Sequence, residues 1–161
     1  MEKNFLKMID ENQNIIHKIS RMYRDSPEDQ EDLFQEIVFQ LWKAYPNYRK
    51  ESKVSTWMYR ISLNTAIVTF RKKKVTINFQ ETYPEKIHPS SSEELSENET
   101  RMYEALRKLS SAEKAIISLF LDDYSYQEIG EIIGISENYV AVKINRIKNK
   151  LRNLLNLNYG I

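Results

Sequence analysis

Hydrophobic residues recur along most of the chain at spacings of three and four, which is the period of a helix with one buried face. Only 3 glycines and 4 prolines occur among 161 residues, so the pattern predicts an all-α fold. The first apolar stripe predicts a helix that ends near Pro27. This stripe consists of Ile9, Ile15, Ile16, Ile19 and Tyr23.

Two further helices are predicted in the N-terminal half. Residues 29 to 45 carry an apolar face that is too wide for a lone surface helix, so part of it must be core. Residues 55 to 73 repeat the helical pattern among many basic residues. The two apolar sets are Leu33, Phe34, Ile37, Val38, Leu41, Trp42 and Tyr45, and Trp57, Met58, Ile61, Leu63, Ile67, Val68 and Phe70.

Residues 125 to 155 predict two helices joined by a short turn. Ser125 and Glu128 fit a capping box at the start of the first helix. Gly134 can adopt a positive φ after that helix and Ser136 can cap the next, which leaves a turn of about three residues, as in helix-turn-helix units. Gly130 costs its helix roughly 1 kcal/mol relative to Ala, so we expect the second helix to pack close against it.

The second helix of this pair combines a buried stripe with positive charge. No acidic residue follows Lys143 to neutralise the cations, and unpaired cations suit phosphates. A basic face alone is most often merely solvated. Here the basic face belongs to a helix pair with a capped start and a glycine in its turn, and this combination favours DNA binding. The stripe is Val140, Ile144, Ile147, Leu151 and Leu154, and the cations off it are Lys143, Arg146, Lys150 and Arg152.

The net charge of +1 conceals segregated blocks of charge. Residues 25 to 36 hold six acids and no base, residues 43 to 74 hold nine bases and one acid, and residues 76 to 99 hold six acids and one base. Opposite surfaces on a small chain suggest more than one partner. Residues 76–98 also contain two prolines and a serine run, the profile of a flexible acidic linker. We therefore predict two small helical domains, residues 1–75 and 99–161.

Composition excludes several function classes. The chain has no cysteine, and His17 and His88 stand in no ligand-spaced cluster, so no metal site or cofactor is predicted. An enzyme acting on nucleic acid would need an acid-base or metal constellation that is missing here, so a non-enzymatic protein is predicted. There is no signal peptide, lipidation signal or apolar run of about 18 residues, which predicts a soluble, cytoplasmic protein without membrane insertion.

The polar groups of the second predicted helix allow two interpretations. Acidic residues in its first turns suit the positive end of the helix dipole. Asp32, Gln35 and Glu36 equally fit a polar ridge for a basic partner helix. The residues alone leave both interpretations open.

The third predicted helix begins with aromatic and basic residues interleaved. Trp57 and Tyr59 stand near Lys53, Arg60 and a basic run that starts at Arg71. Single-stranded DNA binding uses such a mixture, because rings stack on bases while cations follow phosphates. A Trp at helical spacing is, however, more often part of a core.

Three motifs in this order resemble the bacterial RNA polymerase sigma factors of the extracytoplasmic-function (ECF) group, in the sigma-70 family. Their order and spacing agree with that family over nearly the whole chain, and the acidic linker falls where the family's two domains are joined. The motifs are Asp32-Leu33-Phe34-Gln35-Glu36 with Leu41-Trp42, Trp57-Met58-Tyr59-Arg60-Ile61-Ser62-Leu63-Asn64 with Arg71, and Tyr126-Gln127-Glu128-Ile129-Gly130.

The resemblance implies a factor that binds core RNA polymerase, directs promoter-specific initiation and aids melting by capturing a flipped −10 base. It implies docking on the clamp coiled coil of the largest polymerase subunit, and an anti-sigma factor as a further partner. Implied core-binding residues are Asp32, Gln35, Glu36 and Trp42. Implied −10 residues are Tyr48, Arg49, Lys53, Ser55, Trp57, Tyr59, Arg60, Asn64 and Arg71, with the base held by Tyr48, Tyr59 and Asn64 under the loop from Arg49 to Ser55. Implied −35 residues are Ser136, Asn138, Tyr139, Lys143, Arg146 and Lys150.

The recognition helix departs from the family pattern. Many relatives have a Gly-Thr pair and a Lys-Ser-Arg run where this chain has Asn138-Tyr139 and Ala141-Val142-Lys143. The promoter sequence therefore cannot be carried over. The alternative is a helix-turn-helix transcriptional regulator with a helical N-terminal sensor or dimerisation domain, which would leave the first two motifs as coincidence.

Overall fold

A computed structural model describes residues 1–71 and 94–159, except for the side chains of residues 70, 71 and 157–159. Over these residues the backbone forms α-helices, one 3₁₀ turn and no strand, which confirms the all-α prediction. The chain divides into two compact units, Met1–Ser92 and Glu93–Ile161. The helices are α1 (Glu2–Tyr23), α2 (Pro27–Ala44), α3 (Val54–Arg71), α4 (Glu97–Arg107), α5 (Ser111–Leu121), α6 (Tyr126–Ile133) and α7 (Glu137–Tyr159), and the 3₁₀ turn is Tyr45–Asn47.

Most of the predicted linker, residues 76–98, lies outside the described residues. At its C-terminal end, α4 already begins at Glu97, inside the predicted linker range. A capping box explains this early start, because the Ser96 side chain accepts from the backbone N–H of Glu99 while the Glu99 side chain accepts from the backbone N–H of Ser96.

In the N-terminal unit, α1, α2 and α3 pack against one another around one apolar core. The predicted apolar stripe of α1 is imperfect because the helix is kinked at Asn12, where φ is −125°. The Asn12 side-chain amide donates a hydrogen bond of 2.9 Å to the Met8 carbonyl. Fully buried side chains from the three helices include Phe5, Ile16, Ile19, Met22, Phe34, Ile37, Leu41, Met58 and Tyr59.

Pro27 begins a helix instead of ending one. Helix α1 stops earlier, at Tyr23, and Pro27 is the first residue of α2. Proline is well tolerated there because the first N–H groups of a helix have no partner within it. The Ser26 hydroxyl caps α2 by accepting from the Asp29 backbone N–H at 3.1 Å.

In the C-terminal unit the same serine-glutamate capping box opens three consecutive helices. It pairs Ser96 with Glu99 before α4, Ser110 with Glu113 before α5, and Ser125 with Glu128 before α6. Helix α7 packs against all three. Its predicted stripe is buried at Val140, Ile144, Ile147 and Leu151.

The turn between α6 and α7 depends on two glycines. Gly134 ends α6 with φ +89°, which confirms the positive φ predicted for it. A Cβ on Gly130 would lie 2.6 Å from the Ile135 carbonyl oxygen and 3.6 Å from the backbone nitrogen of Glu137. The close neighbour of Gly130 is therefore mainly the turn itself, whereas the sequence suggested the second helix.

Replacing Gly130 with Ala is expected to destabilise the C-terminal unit by about 1–3 kcal/mol, because backbone would have to shift to admit the methyl group. Thermal unfolding of the full chain measures the effect. Gly134→Ala is the matched comparison: no atom lies within 4 Å of its Cβ position, so its cost is backbone strain alone. Unchanged or raised stability of Gly130→Ala would contradict the close packing of this turn.

Candidate nucleic-acid and partner interfaces

The outer side of α2 presents carboxylates to solvent. Asp32 is exposed, and Glu36 is half-buried with its Oε1 accepting from the Gln40 side-chain amide at 3.0 Å. Gln35 departs from the predicted ridge, because the residue is only 9% exposed. Trp42 is half-buried, with its ring edge-on to Phe5 at 5.0 Å between centroids. The polar ridge of α2 therefore consists of Asp32 and Glu36.

The segment from Tyr48 to Trp57, here called the aromatic loop, runs from the end of the 3₁₀ turn into the first turn of α3. The rings of Tyr48 and Trp57 stack at its base, 4.6 Å apart and inclined by 23°. The Tyr48 hydroxyl donates to the Ser52 carbonyl at 2.9 Å, which closes the loop from within. Lys50 holds a positive φ of 59° at its tip. The short loop therefore has a stacked aromatic pair at its base and a hydrogen bond within it.

Cations and an amide surround this aromatic pair. Arg49 and Lys53 are exposed on the loop. On α3, Arg60 and Asn64 are exposed, and their positions three and seven residues after Trp57 place all three on one helical face. Ser55 is half-buried in the first turn of α3. The side chain of Arg71 lies outside the described residues.

Tyr59 is not part of this surface. It is fully buried, and its hydroxyl accepts a hydrogen bond of 2.5 Å from the Lys18 ammonium group. A residue two positions after Trp57 on a helix lies on nearly the opposite side, which here faces α1. The prediction that Tyr59 contacts a captured base is therefore not supported, because no face of its ring is accessible.

The start of α7 carries most of the predicted duplex-binding residues on its surface. Asn138, Tyr139 and Arg146 are exposed, with 47% of Tyr139 accessible. The Ser136 hydroxyl accepts from the Tyr139 backbone N–H at 3.1 Å, which confirms its capping role. Lys143 is half-buried, with its ammonium nitrogen 5.5 Å from the Tyr139 ring centroid.

Lys150 has an acidic partner, contrary to the predicted absence of neutralising charge. Its ammonium nitrogen lies 3.1 Å from Oε1 of Glu113 on α5. Burial acts to raise the pKa of Glu113, but hydrogen bonds from the Ser110 backbone and from Lys150 outweigh it and hold that pKa below its usual value. Glu113 therefore both caps α5 and ties it to α7. Spacing along the chain does not predict this pair, because Glu113 precedes Lys150 by 37 positions.

Two exposed residues of α7 were missed in the sequence. Val142 and Asn145 follow Asn138 by four and seven positions, so they share its helical face. Their spacing from Asn138 in the sequence is the signal that places them on this face.

None of the helices within residues 1–71 and 94–159 combines the length and the apolar character needed to cross a bilayer. The same residues contain no group of three or more His, Cys, Asp or Glu side chains placed to hold a metal ion.

Two helical units, the second of which carries a capped helix-turn-helix, are the architecture of a two-domain DNA-binding protein. Residues 8–76 match the Sigma-70 region 2 family model, and residues 99–151 match Sigma-70 region 4. The chain belongs to the sigma-70 family of RNA polymerase sigma factors, in the ECF group.

Similar proteins support the same conclusion. The chain is 32% identical over 133 residues to the RNA polymerase sigma factor SigZ of Bacillus subtilis, covering 78% of this chain and 72% of that protein. SigV of the same organism is 29% identical, with 84% and 81% covered. A crystal structure of the sigma factor RpoE with the anti-sigma factor NepR from Bartonella quintana has a TM-score of 0.70 at 21% identity, with 95% of this chain and 97% of that chain covered.

The family match decides between the two functions predicted from the sequence. The chain is a factor for promoter-specific transcription initiation with RNA polymerase, and sigma factors are initiation factors rather than catalysts. The alternative prediction, a helix-turn-helix regulator with an N-terminal sensor or dimerisation domain, is wrong, because residues 8–76 match sigma region 2.

Proposed function

We propose that this sigma factor acts in the cytoplasm by binding alone, and that three separate surfaces share the task. One surface contacts core polymerase, one captures a −10 base and one contacts the −35 duplex. The observation that carries this proposal is the stacked Tyr48–Trp57 pair beneath the aromatic loop, with Arg60 and Asn64 exposed on the same face of α3 as Trp57. Polymerase carries out the phosphodiester chemistry.

The core-binding surface is the exposed side of α2. Asp32 and Glu36 are one helical turn apart and both reach solvent. Two carboxylates on one ridge complement a basic helix, such as that of the clamp coiled coil in the largest polymerase subunit. Trp42 belongs to the same helix, and its partial exposure leaves apolar surface for the partner beside its contact with Phe5.

The base-capturing surface is the aromatic loop together with the exposed face of α3. Taking a base out of the stack costs a few kcal/mol, and aromatic packing and edge hydrogen bonds recover that cost. The half-buried Tyr48–Trp57 pair supplies the packing, and Asn64 supplies an amide that can both donate and accept. Arg49, Lys53 and Arg60 are placed to follow the phosphates of the single strand.

The duplex-binding surface is the start of α7. Helix-turn-helix proteins place the first turns of their second helix in the major groove. Asn138, Tyr139 and Arg146 are the exposed predicted residues there, while Lys150 serves mainly to hold α7 to α5. An anti-sigma factor is the further partner we propose, because a structurally similar sigma factor was crystallised with one.

In vitro transcription with purified bacterial core polymerase on a library of promoter fragments tests the proposal. We expect start-site-specific RNA that depends on this protein. Tight duplex binding by the protein alone, without association with core polymerase, would contradict it.

A further inference from the structure

The surface of α7 opposite its buried stripe is uncharged. Successive helix residues are about 100° apart, so the side facing away from Val140, Ile144, Ile147 and Leu151 can be read directly from the sequence. The exposed residues on that side are Asn138, Val142, Asn149, Asn153 and Asn156, and Asn145 and Arg146 lie at its two edges.

Cations lie on both flanks of this uncharged strip. Lys143 and Arg146 are on one flank, and Lys148 and Arg152 on the other. On the second flank, Lys148 lies over the Phe120 ring at 4.7 Å and Arg152 donates to Asn149 at 3.3 Å. A neutral strip between two positive flanks fits a major groove, where base edges lie between the phosphates of two strands.

Val142 is the apolar side chain on this strip. It is 46% exposed, so it is not a core residue that merely reaches the surface. It also lines an open concavity of about 430 Å³, together with Asn145, Arg146 and Tyr126 of α6. The concavity therefore combines apolar side chains, among them Val142, with the polar groups of Asn145 and Arg146.

The edges of base pairs in the major groove carry a single kind of apolar group, the C5 methyl of thymine. Asparagine amides match the N6 and N7 positions of adenine. Val142 lies one turn from both Asn138 and Asn145, so methyl and amide contacts would fall on neighbouring base pairs.

We propose that Val142 is a specificity-determining residue that contacts the thymine methyl group of an A·T pair in the −35 element. Asn145 beside it reads an adenine edge. This inference rests on the proposed placement of α7 in the −35 duplex. It assigns to this chain a preference for A·T pairs at the centre of the contact.

Replacing single thymines of the −35 region with deoxyuridine tests the inference, because this change removes only the methyl group. The holoenzyme, formed from core polymerase and the full chain, is assayed for run-off transcription on a promoter taken from the library. Burying one methyl group contributes about 0.8 kcal/mol, so one position should lose roughly fourfold in promoter affinity with the wild-type protein. The Val142→Ala protein should not respond to uracil at that position.

Leu121→Ala is the matched control. Leu121 is likewise exposed, at 46%, but lies at the end of α5 and not on α7. This variant should keep the full wild-type response to uracil in the −35 region. The inference is overturned if uracil at no −35 position lowers transcription by the wild-type holoenzyme. It is also overturned if uracil lowers transcription equally with the wild-type and Val142→Ala proteins. Either result leaves the proposed function intact. Absence of any start-specific RNA would overturn the proposed function, and this inference with it.

Discussion

Replacing Asn64 with Ala is expected to reduce open-complex formation by roughly 10- to 100-fold, while the affinity for core polymerase changes less than about twofold. Loss of a base-edge contact costs about 1–3 kcal/mol, and each 1.4 kcal/mol is a factor of about ten. Asn64 is exposed on α3, so its removal leaves the packing of the unit intact. Permanganate reactivity of −10 thymines measures opening, and fluorescence anisotropy with labelled protein measures core binding.

Asn14→Ala provides the control for this variant. Asn14 is also exposed, in the same unit but on α1. It should behave as wild type in both assays. An Asn64→Ala protein that opens promoters normally, or that loses core binding in proportion to opening, would remove Asn64 from the base-capturing surface.

Replacing Asp32 with Lys is expected to weaken binding to core polymerase by at least about tenfold. Facing a basic partner helix, the new cation turns an attraction into a repulsion, and like charges at an interface cost several kcal/mol. At saturating protein, the holoenzyme that does form should open promoters at the wild-type rate, because the base-capturing surface is unchanged. Glu36→Lys should act in the same direction.

Glu31→Lys is the matched control for the charge change. Glu31 is exposed and adjacent to Asp32, but a helix turns by about 100° per residue, so it points away from the ridge. Its effect on core affinity should stay below about threefold. Equal losses from the two variants would indicate a diffuse electrostatic attraction instead of a docking ridge.

The helices could be predicted where capping, glycine and periodicity agree. The α6–α7 pair is the clearest case, since Ser125, Gly134 and Ser136 each have the predicted role. The first helix was predicted to end near Pro27 and ends at Tyr23, while Pro27 itself begins α2, because proline both follows helices and begins them. The sequence also carries the serine-glutamate pairs that open α4 and α5.

The site residues show what one-dimensional patterns miss. Tyr59 precedes the exposed Arg60, yet its position two residues after Trp57 turns it into the core against Lys18. Lys150 had no acidic neighbour along the chain, but α5 brings Glu113 to it. The second difference arises from a contact between helices, which residue spacing within one helix does not contain.

The most direct measurement replaces single adenines of the non-template −10 strand with the fluorescent base 2-aminopurine, whose emission rises when it leaves the stack. With the wild-type holoenzyme, one position should brighten before RNA synthesis begins, and Asn64→Ala should abolish most of that signal. A holoenzyme that makes start-specific RNA while no −10 position brightens, or in which Asn64→Ala leaves the signal unchanged, would contradict base capture by the aromatic loop and α3.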